Sequence, residues 1–216
     1  MNKALFLSGG WDGHHPEQIV QIFAPAFAEA SGWETDVVTS CDILSDTEAM
    51  AAYGLIFPCW TMGSLTAEQT GGLLGAVRAG AGLAGIHGGM GDAFRGNLDF
   101  EWMVGGHFVG HPHVGDYTVR VRDFASPIMN GMSPRFAYRS EQYYMLTDPG
   151  IHVLADTEYV FEGKTCDMPV VWVKTWGSGR VFYSALGHEP GEFERCPEVR
   201  ALTLRGMLWA AGLPIR

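Results

Sequence analysis

Along the N-terminal half of the chain, short apolar runs alternate with segments in which apolar residues recur at helical spacing, the signature of strand-then-helix units. Residues 3–8 form an apolar run closed by Gly9-Gly10, and Pro16 then opens a segment carrying Ile19, Val20, Ile22, Phe23 and Phe27 on one helical face. Runs at 35–39 and 53–58 read as the second and third strands, with a short acidic helix over 45–51 between them. Thr66, with Gln69 after it, has the spacing of a capping box and starts a helix that runs through Val77. The fourth strand, 81–86, ends abruptly on His87 and the turn Gly88-Gly89-Met90-Gly91. Such units predict a parallel sheet with helices on both faces, because parallel neighbours require crossover connections.

Beyond about residue 115 the pattern changes to alternating or β-branched runs at 116–122, 136–139, 152–156, 170–176 and 180–184, separated by Pro and Gly turns. These read as antiparallel strands, with the last pair a hairpin about Gly177-Ser178-Gly179. A final helix over 197–211 stops at Gly212 and Pro214. The expected fold is therefore one domain over 1–216, a flavodoxin-like three-layer α/β/α sandwich. Its central sheet is mostly parallel, and antiparallel strands are added in the C-terminal half.

Composition narrows the function more than the fold. A formal net charge of −10, with 14 scattered Lys and Arg residues, argues against a nucleic-acid partner, which needs clustered cations. Cys41, Cys59, Cys166 and Cys196 are widely spaced, and no secretory leader or membrane-length apolar run is visible, so a reducing cytoplasm is expected. The stretch Gly80-Ala81-Gly82-Leu83-Ala84-Gly85 matches the dinucleotide fingerprint by letter, but it enters a strand where that fingerprint leaves one, so no nucleotide cofactor is expected.

Candidate chemistry gathers at strand ends, where open α/β sheets bind ligands. His87 stands at one such end, and the amides of Gly88 and Gly89 could hold an oxyanion or carboxylate. The first strand leads into Trp11, Asp12, His14 and His15, with Trp11 an apolar platform, while Trp60 stands at the rim after the third strand. His107, His111 and His113 are the densest histidine group. On a helix His107 and His111 would share a face, and in extended chain His111 and His113 would. Cys59, at the third strand end, has no basic neighbour in sequence to activate it as a nucleophile.

Several ordered motifs together resemble the ThuA-like, or trehalose-utilisation, family within the class I glutamine amidotransferase-like group. They are Gly85-Ile86-His87-Gly88-Gly89, Gly105-Gly106-His107-Phe108-x-Gly110-His111-Pro112, Ser126-Pro127-Ile128-Met129-Asn130-Gly131, Glu141-x-Tyr143, Pro169-x-x-Trp172, Gly179-Arg180-Val181-Phe182-Tyr183, Leu186-Gly187-His188 and Arg205-Gly206-x-x-x-Trp209-Ala210. The resemblance implies that His87 occupies the turn where amidotransferases carry a nucleophilic cysteine, so glutaminase chemistry is not expected. It also draws Glu141 and Tyr143 towards the site, puts His188 with Glu189 in a position like the superfamily's catalytic pair, and favours His15 over His14 in the first loop.

His87, Glu141 and His188 would then form a two-histidine, one-carboxylate set suited to zinc, manganese or iron. His15, His107, His111 and His188 are the candidates for proton transfer. Trp11, Asp12, Trp60, Gly88, Gly89, His113 and Tyr143 are the candidates for substrate contact. The implied activity is a metal-dependent carbohydrate isomerase, lyase or hydrolase acting on a disaccharide or glycoside, plausibly its 3-keto form made by a partner sugar dehydrogenase. The alternative is a non-catalytic sugar-binding or regulatory module on the same scaffold. An acidic chain with exposed aromatic loops is also compatible with a homodimer.

Overall fold

In the computed structural model, which describes residues 2–215, the N-terminal runs pair as parallel strands. Strands β1 (Lys3–Gly10), β2 (Glu34–Val38), β3 (Leu55–Thr61) and β4 (Gly82–Ile86) are joined through helices α1 (Pro16–Ser31), α2 (Thr47–Met50) and α3 (Ala67–Ala79). The capping box is present as the spacing predicts: Gln69 N–H donates to Thr66 Oγ1 at 3.2 Å, and Thr66 N–H donates to Gln69 Oε1 at 2.9 Å. The acidic helix expected over 45–51 divides into a 3-10 turn, Asp42–Ser45, and the short α2, because the Asp46 carboxylate caps a new start by accepting from Glu48 and Ala49.

After β4 come α4 (His87–Gly91) and α5 (Leu98–Val104), then β5 (Gly106–Val121), β6 (Arg135–Thr147), β7 (His152–Phe161), β8 (Lys164–Trp176) and β9 (Gly179–Ser184), and finally α6 (Pro190–Arg195) and α7 (Pro197–Ala210). Among the described residues the nine strands belong to one sheet of order β2-β1-β3-β4-β9-β8-β7-β5-β6. Pairing is parallel from β2 to β9 and antiparallel from β9 to β6. Helices α1, α6 and α7 pack together on one face and α2, α3 and α5 on the other, giving the three expected layers.

Phe6, Phe23, Phe27 and Phe57 are fully buried between the sheet and α1, and Trp172 and Tyr183 are buried at the centre of the sheet. Each such side chain contributes about 1.5–3 kcal/mol through burial. Among the described residues no helix is long and apolar enough to cross a membrane.

The main departure from the sequence reading lies in β5 and β6. Expected as short strands at 116–122 and 136–139, they run together from the Gly106↔Thr147 pair to the Arg120↔Arg135 pair. β5 pairs with β7 only over Val119–Val121, so most of the two-stranded ribbon leaves the plane of the sheet. Its other end is tied back to β8 by Lys174 Nζ, which donates to Asp148 Oδ2 at 2.5 Å. The ribbon is thus an arch held at both ends, and two register shifts, between Phe108 and Gly110 and between Gly110 and His113, bend it.

Candidate metal centre

The carboxyl ends of the parallel strands present three histidines to one point. β1 ends in a 3-10 turn, Asp12–His14, that buries His14. β4 ends directly on His87, and the loop after β9 carries His188. Their ring centroids are 4.9 Å apart for His14 and His87, 5.0 Å for His14 and His188, and 5.2 Å for His87 and His188, each pair close to perpendicular. The arch supplies the fourth member: Glu141 Oε2 lies 3.1 Å from His87 Nε2, 3.5 Å from His188 Nδ1 and 3.9 Å from His14 Nε2. The four donor atoms lie within 4.8 Å of one another.

Local structure fixes each ring. His87 has φ 42, a left-handed conformation that is strained for a residue with a side chain and is retained here by its surroundings. Its Nδ1 donates to the Ala185 carbonyl at 2.9 Å, Tyr143 lies beneath the ring at a centroid distance of 3.9 Å, and Tyr183 Oη donates to the His87 carbonyl at 3.0 Å. His14 Nδ1 meets Thr61 Oγ1 at 2.7 Å. A Cβ on Gly88 would run into the His14 ring, so glycine is needed there for clearance.

These contacts decide what the cluster can hold. Ala185 O can only accept, so Nδ1 of His87 carries the proton and a neutral ring presents a lone pair at Nε2. Burial pushes the His87 pKa down to about 4 and keeps the ring neutral at pH 7. Burial raises the Glu141 pKa, but the facing His14 and His87 rings more than offset it and hold the carboxyl far below its usual range. Two lone-pair atoms therefore face each other at 3.1 Å, and His188 Nδ1, whose pKa burial lowers, is buried without a hydrogen-bond partner. A cation among the four atoms resolves both features. Zinc-type ions bond imidazole and carboxylate at about 2.0–2.2 Å, so donor atoms up to 4.8 Å apart would have to draw in around one. His14, His87, Glu141 and His188 are thus a set that could hold a metal ion.

The other candidates divide between this cluster and elsewhere. His111 borders it, with Nε2 at 3.6 Å from Glu141 Oε1, its ring stacked near Tyr143 and its Nδ1 buried without a partner. Trp11 is 47% exposed beside His14, at a centroid distance of 4.8 Å. The preference for His15 over His14 is reversed: His15 is the exposed N-cap of α1, turned outward at φ 50, whereas His14 faces Glu141. Pro16 at the first helical position marks His15 as a cap residue, and that signal could have made the distinction.

His107 pairs with Glu101 at 3.2 Å, and His113 donates to Asp116 O at 3.2 Å, so the histidine group is extended and bulged and only His111 reaches the cluster. Asp12 is exposed in the first-loop turn, and Trp60 packs over Gly9 and Gly63 at the edge of Phe94. Tyr143 is buried as a floor under His87, and Gly88 and Gly89 are buried against His14 and Cys59, so none of the three stands at an open mouth. Glu189 turns away from His188 to Arg195 at 2.9 Å. Cys59 is buried, its thiol pushed up to about 12, and is no nucleophile.

A family model described as ThuA, trehalose utilisation, matches residues 3–210. Among solved structures, a ThuA-like protein from Parabacteroides merdae ATCC 43184 is similar with a TM-score of 0.78 at 20% identity, covering 99% of this chain and 91% of that one. A second ThuA-like protein, from Bacteroides uniformis ATCC 8492, gives 0.75 at 18% identity over 95% of this chain and 91% of that one. The glutaminase domain of Trypanosoma brucei CTPS, solved with acivicin bound, gives 0.61 at 13% identity over 99% of this chain and 95% of that one. At these identities the structural matches show the fold alone. No curated protein matches the chain.

Proposed function

The chain belongs to the ThuA, or trehalose utilisation, family, and on that premise we propose that it is a sugar-catabolic enzyme whose working centre is a divalent metal ion held by His14, His87, Glu141 and His188. The observation that carries this reading is the pair of lone-pair atoms, His87 Nε2 and Glu141 Oε2, facing each other at 3.1 Å. Zinc, manganese and iron all suit imidazole and carboxylate donors.

The substrate is a disaccharide or glycoside in its 3-keto form, supplied by a partner sugar dehydrogenase. A keto group at C3 acidifies the proton at C2. Bound in the cluster, a divalent ion supplies Lewis acidity towards that carbonyl. His111, beside Glu141 with a free ring nitrogen, takes the C2 proton, and the exposed face of Trp11 supports the sugar ring. Return of the proton at a neighbouring carbon gives isomerisation, whereas departure of the glycosidic oxygen gives elimination.

The test has two arms. Protein purified without chelators is expected to carry about one metal ion per chain by mass spectrometry, and His87→Ala and His188→Ala to lose it. The metal-loaded protein is then offered trehalose, other glucosides and their 3-keto forms. Turnover confined to the 3-keto sugars supports the proposal, whereas turnover confined to unoxidised sugars rules out the C2 proton step. Binding without turnover identifies a sugar-binding module.

A further inference from the structure

His188 shows Nδ1 to the cluster, yet no hydrogen bond from that nitrogen holds the ring in place. Its backbone is held instead. Glu192, on α6, is 3% exposed, and its Oε2 accepts from the Tyr138 hydroxyl at 2.6 Å, from Gly187 N–H at 3.2 Å and from His188 N–H at 3.0 Å. Gly187 N–H is shared with Tyr138 Oη at 3.1 Å. A buried carboxylate is costly unless its lone pairs are matched, and here matching them pins two consecutive peptide groups.

Gly187 has φ 97, and a Cβ there would run into the Phe193 ring, so the loop has little freedom to take another path. Burial and the Glu192 charge push the Tyr138 phenol well above its ordinary range, which keeps it a donor. Tyr138 and Glu141 lie on the same strand, β6. One carboxylate therefore ties the loop bearing His188 to the strand bearing Glu141.

We infer that Glu192 is the positioning residue of the centre: it clasps the loop after β9 to the arch and so sets the approach of His188 Nδ1 to Glu141. The inference rests on the reading that the cluster holds a divalent ion, and it adds the residue that fixes the cluster's shape. Glu189, adjacent to His188 in sequence, is engaged with Arg195 and does not share this task.

Cobalt(II) titration of the full chain, followed by its visible absorption and by competition with a chelator, tests the inference. Glu192→Ala is expected to weaken cobalt binding by about 10–100-fold, as loss of an outer partner of a ligand does, and to change the absorption band. Glu192→Gln keeps an acceptor oxygen and is expected to recover most of the affinity, with Tyr138→Phe falling between it and Glu192→Ala.

A purely structural role would lower the unfolding midpoint while leaving cobalt affinity and spectrum as in the unaltered protein, and that result overturns the inference. If Glu192→Ala does not fold, Glu192→Gln and Tyr138→Phe decide, and unaltered affinity and spectra in both overturn it. An unaltered protein that binds no cobalt refutes the metal reading itself and the inference with it, an outcome distinct from all the others.

Discussion

The parallel half of the sheet and the β5–β6 arch contribute to one cluster by different means. In the parallel half, His14, His87 and His188 stand just beyond strand ends, and the backbone around them is buried and bonded to neighbouring strands. In the arch, Glu141 comes from the middle of a strand whose partner meets the rest of the sheet at only a few residues. One region supplies imidazole ligands from a packed scaffold, and the other supplies the carboxylate on a lever. A strand end offers one residue the freedom to turn into a crevice, whereas a ribbon reaches the same crevice by crossing over it.

Removing the charge tests the difference most severely. Glu141→Ala is expected to weaken metal binding by at least about 100-fold, more than an outer partner would, while the parallel half keeps its fold. Competition titration reads the first effect and far-ultraviolet circular dichroism the second. Equal binding by Glu141→Ala would make the arch a bystander.

Acid should act next, through the parallel half. The folded chain holds His87 at about 4, whereas the unfolded chain takes up a proton near the ordinary 6.5. The His87 contribution is therefore constant above about pH 6.5 and becomes less favourable as pH falls towards 4, by on the order of 3 kcal/mol. His188, also lowered, acts in the same direction, and Glu141 adds to it below the ordinary carboxylate range. Urea unfolding of metal-free protein at pH 7.5 and pH 5 should show the loss, with a smaller loss in His87→Ala. A midpoint that rises on acidification would contradict the buried, neutral His87.

The smallest effect is expected on the outer surface of the arch. Arg139 and Asp116 form an ion pair at 2.9 Å with side chains 71% and 74% exposed, so Arg139→Ala should cost less than about 0.5 kcal/mol in urea unfolding. A larger loss would show that the arch depends on its surface charges as well as its end anchors.

The same contrast explains what the sequence made legible. β1, β3 and β4 of the parallel half are buried on both faces and read as apolar runs, so the strand-end position of His87 follows from the pattern alone. The arch alternates polar and apolar residues irregularly, with Gly110, Pro112 and shifted register inside β5, and these interruptions hide one long strand behind the signal of a short one.

Because the reach of the arch is a matter of curvature and end anchoring, motif resemblance brought Glu141 to the site while the residue pattern gave no path for it. His14 was missed for a local reason, since one residue of phase in a tight turn separates a buried ring from an exposed one. The Glu192 clasp was invisible because it joins Tyr138 to a loop 49 positions along the chain.

The arch has a last consequence, in time. His14, His87 and His188 stand on the packed core, whereas Glu141 reaches them on a two-stranded segment that crosses the crevice. An ion held from both sides would act as a latch. Its escape and the lifting of the arch would be one event, and the dwell time of the ion would report directly how often the arch opens.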